Sequence, residues 1–161
     1  MNKIVATLGL AATLAFPAMA FAPPAEARSV TLTTQPRPYG GNGAYLAIYL
    51  VDAQGRFHST LRVAGGKAKY YTHLSAWARG RTSETARIDG ITGASVGSGQ
   101  TLRVTVDIAD ALIDAGYQIR VDTAVEDGRD NPSEITAPLT TAANGRPVSG
   151  RGYVASFKFD M

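Results

Sequence analysis

The chain has 161 residues, of which 45% are hydrophobic and 18% charged, with a formal net charge of +3. That is ordinary globular composition, sufficient for one domain with a real core, and it excludes a disordered tail protein. Acids and bases are interspersed without a basic stripe, so there is no electrostatic case for nucleic acid; the absence of cysteine excludes disulfides, thiol nucleophiles, iron–sulfur ligation and C-x-x-C-H haem attachment.

The first residues read as a targeting segment. Lys3 precedes an apolar run from Ile4 to Phe16, and small-residue A-x-A sites follow at Ala18–Ala20 and Ala25–Ala27. The run falls short of the roughly 20 apolar residues that cross a bilayer, and the A-x-A sites are those of a cleaved signal peptide. We expect a secretory signal over residues 1–27, cut after Ala27 with Ala20 as the alternative. A single domain over residues 28–161 then follows, exported to the periplasm, with no membrane span in the mature chain.

Beyond that point the pattern has period two. Val30 to Thr34 is a weak first strand. Ala44 to Val51 (AYLAIYLV) is apolar on both faces and reads as a central, covered strand. Asp52 to Gly55 is a turn, and Phe57 to Val63 is the return strand of a hairpin. In KAKYYTHLSAWARG, Tyr70, Leu74 and Trp77 fall at i, i+4 and i+7, one face of a short helix ended by Gly80. Leu102 to Ile108, Tyr117 to Val125 and Tyr153 to Phe159 alternate apolar and polar, each with one buried and one wet face. In DIADALIDAG, Asp110 is placed to cap a single helical turn before Gly116. Glu134 to Leu139 is a short edge strand bracketed by Pro132 and Pro138. About seven short strands and one short helix predict an all-β fold, an immunoglobulin-like antiparallel β-sandwich.

The usual catalytic constellations are missing. His58 and His73 have no metal-site spacing, and no metal is expected. Glu126, Asp127 and Asp130 flank a glycine as turn residues do, without the order of a calcium loop. There is no G-x-S-x-G elbow. Tyr70, Tyr71, His73 and Trp77 offer two readings: a platform for a flat ligand, or a cover over one face of the sandwich.

The most specific local signal is Asp89-Gly-Ile-Thr92-Gly93-Ala94-Ser95, which fits D-x-x-S/T-G-A-S/T. It resembles the acceptor site of flavin transferases, exported enzymes that use magnesium and flavin adenine dinucleotide. They attach flavin mononucleotide (FMN) through a phosphoester to the last hydroxyl residue of the motif, which maps onto Ser95, where threonine is usual. Gly93 and Ala94 leave a slim, extensible backbone that can enter another protein's site. The hydroxyl is a weak nucleophile and needs the transferase's base and metal. Asp89, Thr92, Gly93 and Ala94 are then recognition elements. The alternative is a plain helix-to-strand loop with Asp-Gly and Gly-Ser turns.

The order of features resembles one family, the predicted periplasmic domain of unknown function 2271. The blocks that carry the resemblance are AYLAIYLVDAQGRFHSTL, KAKYYTHLSAWARG, DGITGAS and AGYQIRVDTAVEDGRDNPSE, over about residues 29–160. Where relatives carry W-D-G, this chain reads VDIADALIDAG. The resemblance implies an immunoglobulin-like fold and a genomic setting beside membrane-bound PepSY-type reductases and flavin transferases. The sequence reading is therefore an exported carrier with FMN on Ser95 and with Tyr70, Tyr71 and Trp77 near the ring. It would be a redox carrier in extracytosolic or iron-linked electron transfer, not a turnover enzyme. Its rival is a non-redox binding or accessory module of the periplasm.

Overall fold

The computed structural model describes residues 26–81 and 92–161. The expected signal segment up to residue 25, and Asp89 of the acceptor-like motif, lie outside the described residues. Eight strands form among those described: β1 (Ala27–Pro36), β2 (Tyr45–Val51), β3 (Phe57–Ala64), β4 (Thr92–Gly93), β5 (Leu102–Ala109), β6 (Gln118–Ala124), β7 (Asp130–Pro138) and β8 (Val154–Asp160). They build two sheets, ordered β5-β1-β8 and β4-β3-β2-β6-β7. Every pairing is antiparallel except β3 with β4. The architecture is an all-β sandwich with only short helices.

The organising strand is β2, buried at all seven positions. Its side chains alternate between two cores, as a period of two requires. Leu46, Ile48 and Leu50 enter the layer between the sheets, where they join Val30 and Leu32 of β1, Ile108 of β5 and Phe157 and Phe159 of β8. Tyr45, Ala47, Tyr49 and Val51 face the other way, into a second core with Tyr71, Leu74 and Trp77. This is why AYLAIYLV is apolar on both faces: one face meets a sheet and the other a helical cover.

That cover differs from the single helix expected. A 3-10 turn over Ala68–His73 precedes a short α-helix, α1 (Ser75–Gly80). Residues three apart eclipse in a 3-10 turn, so Tyr71 joins Leu74 and Trp77 on the buried side. Tyr70, placed on that face by helical spacing, is instead half-buried at the rim. Asp122 of β6, fully buried, holds α1 in place. Its Oδ2 accepts from the Trp77 backbone N–H at 2.8 Å, and its Oδ1 accepts from the Ser133 N–H at 2.7 Å and the Tyr49 hydroxyl at 3.0 Å. The Trp77 indole N–H donates to Thr60 Oγ1 at 2.9 Å.

Two further expectations are corrected. Strand β7 begins at Asp130, before the expected Glu134, and runs through Pro132. Proline is tolerated because the ladder is interrupted there: the register shifts between Val121 and Thr123, and Ser133 takes a φ of 47°. Asp110 does not cap the 3-10 turn Asp110–Leu112; it is the turn's first residue and pairs with Arg28 at 3.3 Å.

Candidate functional site

The described part of the acceptor-like motif, residues 92–95, begins as a strand. Thr92 and Gly93 form β4, an edge strand parallel to β3, with Val63 opposite Thr92 and Ala64 opposite Gly93. The Gly65 N–H donates to the Gly93 carbonyl at 2.7 Å. Three residues on, Val96 and Ala44 exchange both backbone bonds, at 2.7 and 3.0 Å, in an antiparallel bridge. Ala64 and Val96 both belong to the core between the sheets. Gly93, paired with Ala64, therefore shares a face with Val96, three positions later. A regular strand would put positions three apart on opposite faces. The chain must bow between them, and the two residues in the bow, Ala94 and Ser95, are exposed.

Glycines shape the surroundings of this bow. A Cβ built on Gly43 would lie 2.7 Å from Ser95 Oγ, so the serine side chain rests against a bare backbone. Among the described residues the Ser95 hydroxyl has no hydrogen-bond partner. A Cβ on Gly93 would lie 2.2 Å from a terminal nitrogen of Arg62, so the tip of this guanidinium occupies the space beside the glycine. Arg62 Nε is buried without a hydrogen-bond partner among the described residues. Arg62 also lines a cleft of about 310 Å³ between the sheets, with Thr60, Val104 and Asp107.

The matched segment extends well beyond this bow. A family model described as predicted periplasmic protein (DUF2271) matches residues 27–156, from the first strand into the last. The chain belongs to this family of predicted periplasmic proteins. No curated protein and no solved structure matches it. No described helix of this DUF2271 protein is long and apolar enough to cross a membrane.

The three aromatic residues named from the sequence part company in the DUF2271 fold. Trp77 is fully buried and Tyr71 nearly so, their rings edge-to-face with centroids 5.9 Å apart. The Tyr71 hydroxyl donates to the Gly65 carbonyl at 2.8 Å. Both belong to the cover over β2 and present no face for stacking. Only Tyr70 reaches the surface, and its partner there is Tyr45, with centroids 5.4 Å apart. They line a hollow of about 210 Å³ with His73 and the turn Val125–Gly128.

This hollow carries charge at its rim. Lys69 and Lys67 lie 4.7 and 5.6 Å from the Tyr70 ring centroid. Lys67 pairs with Glu126 at 3.3 Å, and the Tyr45 hydroxyl donates to Glu126 at 3.1 Å. Desolvation pushes the Glu126 carboxyl up, but hydrogen bonds from Lys67 and Tyr45 and the Lys67 charge outweigh it and hold it below the usual range. The Glu126 hydrogen bond holds the Lys67 ammonium above its ordinary value. Burial, then Glu126, raise the Tyr45 phenol. His73, the other residue here noted in the sequence, lies 3.1 Å from Asp130.

Sequence reasoning missed Tyr45, Lys67, Glu126, Gly43 and Arg62. Tyr45 looks like one more apolar residue of a buried strand, and only its place at the strand's end brings its hydroxyl to the rim. Gly43 and Arg62 acquire a role through contacts with residues more than 30 positions away, which leave no local pattern.

Proposed function

We propose that this protein carries FMN covalently on Ser95 and relays electrons outside the cytoplasm. The observation that supports the reading best is the bow itself. An exposed hydroxyl, without a hydrogen-bond partner among the described residues, stands on a two-residue arch tied at both ends by backbone bonds. A group that must enter a transferase's site has to be both accessible and anchored, and a free hydroxyl loses no internal bond on leaving.

Attachment balances as a phosphoryl transfer. Ser95 Oγ forms a new bond to the FMN phosphorus of flavin adenine dinucleotide, and the bond between the two phosphorus centres breaks at its bridging oxygen. Adenosine monophosphate leaves, and the serine proton passes to the transferase's base. Bound flavin supplies reversible electron uptake, and the chain's part is to hold and orient it. Thr92, Gly93 and Ala94, with Asp89 just before them, are the segment the transferase would read. A membrane PepSY-type reductase is the proposed electron source.

The test is an intact mass after co-expression and export with a flavin transferase. The expected result is a gain of one FMN that Ser95→Ala abolishes. An unchanged mass beside a transferase active on a control substrate sinks the reading and favours a non-redox accessory module.

A further inference from the structure

We infer that the hollow between Tyr45, Tyr70 and the turn Val125–Gly128 is the docking site for the isoalloxazine ring of the flavin carried on Ser95. The inference rests on the attachment reading and adds a place for the ring. Its first support is position. The Ser95 side chain rests against Gly43, where a Cβ would lie 2.7 Å from Ser95 Oγ. Gly43 and Tyr45 are two apart and share a face, so Ser95 lies on the face that carries the Tyr45 ring. The Tyr45 ring in turn lies on Gly65, where a Cβ would come within 2.1 Å of it, and Gly65 is bonded to Gly93. Bow and hollow are thus linked indirectly, through Gly43 on one side and through Gly65 on the other.

The second support is the lining. Tyr45 and Tyr70 are tilted 59° to each other at the wall of a hollow of about 210 Å³ that is partly open to solvent. A flat ring system laid against Tyr70 gains stacking while one edge stays accessible for electron exchange. The rim carries both signs of charge: Lys69 lies 4.7 Å from the Tyr70 ring centroid, Lys67 is paired with Glu126, and Asp127 lines the hollow beside it. Glu126 ties Lys67 and Tyr45 together and fixes the wall they form.

A second hollow of about 320 Å³ lies across the same turn, lined by Tyr39, Gly40, Asn42 and Tyr153. It has aromatic walls, but Tyr39 and Tyr153 already close on each other edge-to-face at 4.9 Å. It serves as the internal control.

The experiment measures time-resolved fluorescence anisotropy of the flavinylated full chain, with intact mass recorded on every sample. In the wild type the flavin should tumble with the protein. Tyr70→Ala should shift the ratio of docked to free ring by about tenfold, the scale of one lost stacking partner. Tyr70→Phe should keep the ring docked, and Tyr39→Ala should change nothing. Mass gain should be equal in all four. A flavin rotating freely in the wild type, or released by Tyr39→Ala and not by Tyr70→Ala, overturns the docking site while the attachment stands. A missing mass gain overturns the attachment, and the docking site with it.

Discussion

The backbone N–H of Trp77 in α1 donates to Oδ2 of Asp122 in β6, 45 positions away, at 2.8 Å. A fully buried carboxylate thus replaces the local cap that α1 lacks, since its own N-cap residue Leu74 offers no side-chain oxygen. Buried carboxylates are costly unless fully hydrogen-bonded, and this one accepts three bonds.

Replacement of Asp122 by alanine should therefore destabilise the fold by about 3 kcal/mol, because the Trp77 and Ser133 N–H groups and the Tyr49 hydroxyl lose their acceptor. Asp122→Asn should do nearly as much damage, since one oxygen becomes a donor facing donors. Trp77 is the only tryptophan in the chain, so its fluorescence reports on the cover directly. Denaturant melts followed by tryptophan emission check this. A loss of less than about 1 kcal/mol would mean that packing alone positions α1.

That dependence also marks where the sequence was legible. The alternation of Leu102 to Ile108 and the doubly apolar AYLAIYLV identify strands because a strand's environment is written in its own period. The cover was misread in detail, because a 3-10 turn and an α-helix both bury apolar residues every three or four positions. Nothing local decides whether Tyr70 or Tyr71 turns inward. The acceptor-like motif was visible as a motif, yet its conformation depends on Ala64 and Ala44, residues that its own sequence does not mention. Glu126 looked like a turn acid, and the Lys67 and Tyr45 it meets lie 59 and 81 positions away.

Gly43→Ala tests whether the bow matters for modification. A Cβ there must displace the Ser95 side chain, which is exposed and able to move. Stability should change by less than about 1 kcal/mol. The rate of FMN attachment in the co-expression assay should fall several-fold, because Ser95 would no longer rest in one place. Equal rates in Gly43→Ala and wild type would show that the transferase reorganises the segment by itself.

Gly65→Ala should be much more harmful. Its φ of +155° is strained for any other residue, and the added Cβ would penetrate the Tyr45 ring at 2.1 Å. Tyr45 is buried and cannot swing away without opening the second core. A loss of about 2–4 kcal/mol is expected from strain and overpacking together. The comparison with Gly43→Ala, measured by thermal melts at one pH, separates a glycine kept for packing from one kept for access.

The rim of the Tyr70 hollow should respond to acid in a defined direction. Glu126 has its folded value below the usual one, so its contribution is present above the unfolded glutamate value of about 4.3 and is lost as pH falls through the lower folded value. Lys67 is shifted up, so its contribution is present below its usual value and is lost only as strongly alkaline pH passes the raised one. The Lys67–Glu126–Tyr45 cluster should therefore hold from about pH 5 to about pH 10 and open on the acid side through Glu126. The Tyr45 and Tyr70 ring resonances, followed by NMR down to about pH 2.5, should shift together in that acid step. Glu126→Gln should remove the shared step and leave the rings in their acid-form positions at neutral pH. High salt should shrink the effect, because the pair is exposed and screened. If the step survives in Glu126→Gln, its assignment to Glu126 is wrong.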